Sequence, residues 1–502
     1  MTSPSGAVSV LRQLADLISA SVDAIDARYA KDGLSYPSLD DPFNPTTPAE
    51  ALAKSPELIK HVLTAVSACG QLGATINSPM SALADLAYGY QLPAALRTVV
   101  TVNVVEVLRD YPEGLHVKEI AAKTRSGIDP AKLARLLRTL ATSHVFFETA
   151  PDTFKNNRLS SLLDTRKSVE QILSDPDNKH TGTSGFAAMM EMSEETLKGA
   201  GYLTETLLDP KTRDSDAQEH TSIARAFGIN KSVWEWYEEP GNEYRLKRFA
   251  FMASAFARSH TGVIFGGFQW KTLSPGAIVV DVGGGKGHNM FTIRKEYPQL
   301  KFIVQDRAAV MGEAQKFWDE NAPGALEAKE VVLQAQDFFE PQALSEVPDA
   351  FLLSMILHDY GRGPAVKILK HLRDAAAKHT KLIIVDQVRP SHLYITTVCS
   401  LLTRNKRKVL PYACPSGALG SITRGIPGAE KVQPQAPSPL LPNLGKANTL
   451  TYSADLMMLI GLNGEARTPT GYVDILESSG WKIEDMFPVM GTLHTQIVAT
   501  PI

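Results

Sequence analysis

The stretch Asp281-Val282-Gly283-Gly284-Gly285-Lys286-Gly287 decides the fold of this chain. The apolar segment Ala277–Val282 leads into it and predicts a buried strand, and residues 289–297 after it predict a helix. Glycines between a strand and a helix permit positive φ angles and a close approach of the backbone to a ligand. Because ligands of α/β sheets bind at the carboxyl ends of the strands, this turn predicts a cofactor site.

The spacing of the glycines favours one class of cofactor. Gly283, Gly285 and Gly287 lie two positions apart, whereas the dinucleotide fingerprint G-x-G-x-x-G needs a glycine where His288 stands. Asp281 is poorly placed for a pyrophosphate, but it suits the cationic amino-acid portion of S-adenosylmethionine (SAM), which carries a sulfonium and an ammonium. The turn therefore favours SAM over NAD.

Two further acidic residues follow the next predicted strands. Asp306 comes after Phe302–Gln305, where a carboxylate can accept hydrogen bonds from both ribose hydroxyls. Asp337 precedes Phe338 and Phe339, which offer an apolar wall for adenine. A single acid at such a position is more often a helix cap or a solvated charge. Three acids at successive strand ends make a shared cofactor site the better interpretation.

Length and composition indicate an ordinary globular protein with more than one domain. The chain has 502 residues, of which 44% are apolar and 21% charged. A net charge of −3 gives no general attraction to nucleic acid or to an anionic membrane. No apolar run approaches the roughly 18 residues of a membrane span. Three cysteines without metal or redox spacing, and no secretory signal pattern, predict a cytoplasmic protein without a metal site.

Between Leu115 and Leu163, short helical patterns precede β-rich sequence, which is the order of a winged helix. This stretch is mildly basic, so two interpretations stay open. It is either a DNA-binding module or a packing or dimerisation module whose charges face water, and we prefer the second. After the break at 274–276, strand and helix patterns alternate up to Val385, which predicts a doubly wound parallel sheet of the α/β class.

Together these features resemble the small-molecule O-methyltransferases typified by plant caffeic acid and flavonoid enzymes and by fungal sterigmatocystin-type enzymes. The resemblance covers about residues 80–480 and rests on the cofactor turn, Gln305-Asp306, Asp337-Phe338-Phe339, Leu357-His358-Asp359-Tyr360, Asn443–Asp455 and Asn463-Gly464. It implies SAM-dependent methyl transfer to a phenolic or related hydroxyl of a secondary metabolite. It also implies a Rossmann-like class I methyltransferase domain and a homodimer in which the winged helix is a dimer element.

On this basis the chain divides into four parts. They are an N-terminal helix and linker (1–48), a helical and winged-helix dimerisation domain (49–175), a helical connection contributing to the substrate pocket (176–270) and a SAM-binding catalytic domain (271–502).

Methyl transfer needs a group that takes the proton of the acceptor hydroxyl, and histidine suits this near neutral pH. His358 follows a buried-type strand at its carboxyl end, and the resemblance of Leu357-His358-Asp359-Tyr360 gives it the role of general base. Asp386, at the end of the predicted strand Lys381–Val385, stands where the family has a glutamate that orients the histidine.

Three positions depart from the family pattern. The second acid of the family precedes an Arg-Thr pair, but here Ala466 precedes Arg467-Thr468. Either Glu465 reaches the histidine from a shifted backbone, or a single acid suffices. Ser354 replaces a Lys or Arg that contacts the cofactor, and Tyr360 replaces the usual Trp.

The acceptor pocket is harder to assign. In the family, the helix before the cofactor turn lines part of it, and the nearest apolar candidates here are Phe251, Met252 and Phe256, although their helical spacing is more often that of plain core. Residues 389–409 read as an insertion or a translated intron, because without them Val388 would join Leu410 as in relatives. Together with Ser354 and Ala466, this segment motivates an alternative function, a catalytically weak or inactive SAM-binding scaffold.

Overall fold

The computed structural model describes residues 8–259, 261–390, 425–432, 436–489 and 492–502; it does not describe the side chains of 254–259 and 261. Helices dominate the first half of the chain. They are α1 (Val10–Lys31), α2 (Pro48–Ala53), α3 (Pro56–Ile76), α4 (Pro79–Tyr88), α5 (Gln91–Thr101), α6 (Val104–Arg109), α7 (Val117–Thr124), α8 (Pro130–Thr142), α9 (Val169–Ser174), α10 (Phe186–Ala200), α11 (Leu203–Leu208), α12 (Ser222–Phe227), α13 (Val233–Tyr237) and α14 (Glu243–Ser259).

The predicted winged helix is present between α6 and α9. Its strands are β1 (Leu115–His116), β2 (Phe147–Ala150) and β3 (Thr153–Lys155), in the antiparallel order β1-β3-β2. Helix α8 begins where Asp129 caps the N–H of Lys132 and a proline occupies the first turn. Two basic side chains of the winged helix are paired with acids: Arg138 of α8 with Glu148 and Asp152, and Arg125, directly after α7, with Glu170.

The second half contains the predicted doubly wound sheet. Its strands are β4 (Ile278–Val282), β5 (Lys301–Asp306), β6 (Val331–Ala335), β7 (Ala350–Ser354), β8 (Lys381–Gln387), β9 (Trp481–Pro488) and β10 (His494–Pro501). Its helices are α15 (His288–Glu296), α16 (Ala308–Asn321), α17 (Arg362–Asp374), α18 (Ala429–Val432), α19 (Thr449–Leu462) and α20 (Pro469–Glu477). The strand order is β6-β5-β4-β7-β8-β10-β9, and β10 runs antiparallel to both of its neighbours.

The second half of the chain forms three layers, with the sheet between two layers of helices. The alternation of side chains along the strands explains this arrangement. In β4, Val280 and Val282 join the apolar cluster on one face of the sheet, while Val279 joins the cluster on the other face. Helices cover both faces, so the central strands are buried on each side. The carboxyl ends of β4, β5, β7 and β8 therefore meet at one edge of the sheet, where the turn after β4 lies.

The N-terminal helices pack back on the second half of the chain. Leu14 of α1 and Ala68 of α3 form a small apolar cluster with Leu440 and Leu444. Gln71 accepts from the N–H of Leu441 at 3.1 Å and donates to the carbonyl of Pro439 at 2.8 Å. None of the helices in the described part of the chain is long and apolar enough to cross a membrane.

Candidate active site

The glycine turn after β4 adopts the conformation that its sequence predicts. Gly283, Gly285 and Gly287 have φ angles of 70°, 58° and 86°. A Cβ atom at Gly283 would lie 2.6 Å from a side-chain carbon of Ile356, and one at Gly287 would lie 2.8 Å from the indole nitrogen of Trp318. Gly287 therefore requires glycine for space as well as for backbone angle, whereas at Gly283 the backbone angle is the stricter requirement.

Asp281 lies directly under this turn. Its side chain is fully buried, and a Cβ atom at Gly284 would lie 2.5 Å from its carboxyl carbon. Among the described residues, neither carboxylate oxygen has a hydrogen-bond partner. Burial, with a smaller contribution from the charge of Asp306, raises the pKa of Asp281 to about 7. A buried carboxylate without a partner fits a cationic ligand, which is the chemistry of the amino-acid end of SAM.

Asp306 connects the second strand end to the same turn. One of its oxygens accepts from the N–H of Gly285 at 2.8 Å, and the other accepts from the N–H of Arg307 at 2.8 Å. This arrangement holds the end of β5 against the glycine turn.

Aromatic side chains lie near the third acid. Asp337 follows β6 and is exposed, and it accepts from the N–H of Phe339 at 2.9 Å. The rings of Phe338, Phe339 and Tyr360 pack edge to face, with centroids 5.0 to 5.7 Å apart. Because Phe338 also lies close to Gly283, the cofactor turn has an apolar wall on this side.

His358 lies in a short turn after β7 and is buried. Its Nδ1 is 2.5 Å from Oδ1 of Asp386, and its backbone N–H donates to Oδ2 of the same carboxylate at 3.1 Å. The strand β8 extends to Gln387, two residues beyond the prediction, so Asp386 is held within the sheet. On the other side of the ring, Nε2 lies 3.2 Å from Oδ1 of Asp359.

The two carboxylates set the charge of this ring. Burial lowers the pKa of His358, but the charges of Asp386 and Asp359 outweigh burial and raise it to about 9. Asp386 is also fully buried, yet His358 holds its pKa below the ordinary value. Burial raises the pKa of Asp359 to about 6, against the opposing effect of His358. The imidazole is therefore cationic at neutral pH until a proton is removed.

The carboxylate of Glu465 does not contact the ring of His358. Its backbone N–H donates to the carbonyl of His358 at 2.9 Å, whereas its side chain is half-exposed and lies 3.2 Å from Arg389 and 4.0 Å from Arg467. Arg389, the first residue of the predicted insertion, also pairs with Asp455 at 3.0 Å. It is thus an integral part of the fold, and residues 391–409 lie outside the described residues.

Arg467 is a feature of the site that the sequence did not reveal. Its side chain is 1% exposed, and its guanidinium donates to the carbonyls of Leu357 at 2.6 Å and Tyr360 at 2.5 Å. These carbonyls flank His358 and Asp359, so Arg467 fixes the turn that carries both. The contact between Asp359 and the histidine was also missed, although the two residues are adjacent in sequence.

The remaining predicted residues are described in part. Met252 is half-buried on α14, and the side chain of Phe256 lies outside the described residues. Ser354 ends β7 and cannot supply the positive charge that the resemblance led us to expect there.

A cavity of about 440 Å³ lies beside the cofactor turn, between Phe251 and Phe317, and Lys286 contributes to its lining.

The sheet order and the glycine turn with its carboxylates define a class I SAM-dependent methyltransferase. Family models match residues 84–166 as an O-methyltransferase dimerisation domain and residues 208–402 as an O-methyltransferase domain.

Relatives agree with this class over nearly the whole chain. An O-methyltransferase of Armillaria gallica is 35% identical, with 98% of this chain and 100% of that protein covered. The 4-O-methyltransferase 1 of Phanerochaete chrysosporium is 36% identical, with 95% of each covered. The solved structure of CalO1, a methyltransferase of calicheamicin biosynthesis, has a TM-score of 0.55 at 21% identity, with 85% of this chain and 100% of that chain covered. This chain belongs to the O-methyltransferase family, and its cofactor is SAM.

Proposed function

We propose that this enzyme methylates the hydroxyl of a phenolic or related secondary metabolite, with His358 as general base. The observation that carries the proposal is the buried pair of His358 and Asp386, 2.5 Å apart at the edge of the sheet that also holds the cofactor turn. Bound SAM supplies the activated methyl group. The residues that would hold it are Asp281, Gly283, Gly285, Asp306, Asp337 and Phe338. They surround the turn with a carboxylate that has no hydrogen-bond partner among the described residues, with open backbone and with an apolar wall.

The proton chemistry follows from the two nitrogens of the ring. Asp386 engages Nδ1, and Nε2, which lies 3.2 Å from Oδ1 of Asp359, takes the proton of the acceptor once the imidazolium has lost its own proton. A phenol has an ordinary pKa of about 10, close to the value of about 9 for His358, so the transfer is nearly balanced. In this proposal Glu465 steadies the base through its backbone N–H, and Met252 lines the acceptor pocket, for which the resemblance also suggests Phe256.

We also infer that the enzyme is a cytoplasmic homodimer. The match to a dimerisation domain supports the dimer. Helix α4 supports it too, since Met80, Leu83 and Leu86 are 67 to 83% exposed and no residue of this helix is buried. Light scattering of the purified chain tests this: a mass of one protomer at micromolar concentration would contradict it.

A single variant tests the general base. In His358→Ala the affinity for SAM should stay within a few-fold of wild type, while turnover falls by about 10² to 10⁴. The acceptor is first found by screening phenols for a mass increase with labelled SAM. His379→Ala is the matched control, because His379 is exposed and pairs with Asp349. Retained turnover in His358→Ala would remove this residue from the role, and SAM binding without any methyl transfer by wild type would favour the scaffold alternative.

A further inference from the structure

A buried arginine pair lies on α14, away from the groups that the proposed chemistry uses. Arg245 and Arg248 are 7% and 8% exposed, and both donate to the same oxygen, Oε1, of the fully buried Glu195 on α10. Among the described residues, Oε2 of Glu195 and Nε of each arginine have no hydrogen-bond partner. One carboxylate therefore serves two guanidinium groups.

The acid next to Glu195 in sequence does not compensate the excess positive charge of the arginine pair. Glu194, the adjacent acid on α10, pairs with Arg97 at 2.8 Å and with Lys198 at 2.6 Å. Arg97 and Lys198 are 37% and 53% exposed, and Glu194 is engaged with them, so the buried arginine pair has only Glu195 as its carboxylate among the described residues. Buried charge without a counter-charge is strongly unfavourable, so an anion that enters this region is stabilised.

The two arginines differ in how much of their positive charge is stabilised by neighbouring aromatic rings. The guanidinium of Arg245 lies 4.6 Å from the ring of Trp236, 5.2 Å from Phe227 and 4.8 Å from Tyr244, and these rings share its charge. In the part of the chain that the structure describes, Arg248 has one such ring, Tyr244, at 5.4 Å. Arg248 is therefore the side chain with capacity for a further anionic partner.

The position of the pair connects it with the proposed acceptor pocket. Arg248 and Met252 are four residues apart on α14 and share one face of the helix. Trp236, which stacks on Arg245, belongs to an apolar cluster with Leu462 at the end of α19. Gly464 and Glu465 follow Leu462, and the N–H of Glu465 donates to the carbonyl of His358. The pair thus lies in the helical layer that packs on the catalytic turn.

We propose that Arg248, with Arg245 beside it, binds a carboxylate of the acceptor, so that the preferred substrates are phenols that carry an acid group. This inference rests on the proposed function, because it assigns one end of the proposed acceptor. It makes Arg248 a residue that determines specificity rather than a catalytic residue.

Calorimetry with a matched pair of compounds tests this inference. The full-length enzyme saturated with S-adenosylhomocysteine is titrated with 3,4-dihydroxybenzoate and with its uncharged methyl ester. Wild type should bind the acid about tenfold more tightly than the ester, as expected for a charge-assisted contact. Equal affinities, including no measurable affinity for either compound, overturn the inference. Failure of wild type to bind S-adenosylhomocysteine overturns the proposed function instead.

Two variants with opposite expected effects on the preference for the acid distinguish a specific contact from a general loss of structure. Arg248→Gln should abolish the preference for the acid and leave ester binding unchanged. Glu195→Gln removes the competing carboxylate and should increase the preference. Lys247→Gln is the control, because Lys247 lies on the same helix, is exposed and pairs with Asp177. The same preference in Arg248→Gln as in wild type, or a decreased preference in Glu195→Gln, contradicts the assignment.

Discussion

Asp281 and Asp386 are both fully buried acids near the carboxyl ends of parallel strands in one sheet, yet their surroundings differ. Asp386 contacts the ring and backbone of His358, and its pKa lies below the ordinary value. Asp281 has no hydrogen-bond partner among the described residues, and its pKa is raised to about 7. Burial is the same in both, so the presence of a cation decides which acid is charged.

This difference separates the two tasks of the site. The pair of Asp386 and His358 is complete within the protein, as a group that handles a proton must be before the acceptor arrives. Asp281 has no hydrogen-bond partner among the residues that the structure describes, as expected for a residue whose partner is the cofactor. Substitutions that remove one charge at a time should therefore affect turnover at one acid and cofactor affinity at the other.

The largest effect is expected at the paired acid. Asp386→Asn removes the charge that stabilises the imidazolium and allows the wrong ring orientation, so turnover should fall by about 10³-fold. The dissociation constant for SAM should change little. Steady-state kinetics and calorimetry measure the two quantities. Asp349→Asn serves as control, because this half-buried acid accepts from the N–H of Ile278 at the opposite edge of the sheet. A loss of SAM affinity equal to the loss of turnover would show that the two acids do not act separately.

At the unpaired acid we expect a smaller effect of a different kind. Asp281→Asn should weaken SAM binding by about 10²-fold, since a buried ion pair loses its anion. It should also change the stability of the cofactor-free protein. The raised pKa means that wild type loses stability as pH increases from about 4 to about 7, and the variant should lack this loss. Chemical denaturation between pH 5 and 8 checks the sign, and a variant with the same pH dependence as wild type would contradict it.

A third variant addresses the turn that carries the paired histidine. Arg467→Lys keeps the charge but cannot donate to the carbonyls of Leu357 and Tyr360 with the same fork. Turnover should fall about tenfold. Arg362→Lys, at an exposed pair with Asp474, is the control. A normal turnover together with a lowered melting temperature would restrict Arg467 to a role in stability.

The smallest effect concerns pH. In wild type, kcat/KM should rise with pH towards about 9, because His358 acts only after losing its proton. Asp359→Asn removes one of the two charges that raise this pKa, so the rise should move to lower pH by about one unit. Asp374→Asn, at the exposed end of α17, should leave the profile unchanged. A profile that moves to higher pH in Asp359→Asn would show that Asp359 does not stabilise the imidazolium.

The sequence predicted the sheet, the glycine turn and the position of His358, because each depends on local pattern. Apolar strands such as β4 and the spacing from Gly283 to Gly287 are visible in the sequence alone. The partners of Arg467, Glu465 and Arg248 were not predictable in the same way. Their contacts join segments distant in sequence, and side-chain direction there is set by packing rather than by periodicity.

Contacts between distant segments also explain why the sequence did not assign the second acid of the family. The sequence left open whether Glu465 reaches the histidine, and the structure places its carboxylate on Arg389 instead. Arg389 also pairs with Asp455, so two acids share this one cation. No local pattern in the sequence indicates either pair.

The position of β10 affects how the enzyme folds during its synthesis. This strand lies between β8 and β9, although the ribosome makes it after both. Until it emerges, the edge of β8 that carries Asp386 has no neighbour, and β9 has no place in the sheet. A nascent chain therefore presents an unpaired β edge until β10 is made, and chaperones would meet this edge in that interval.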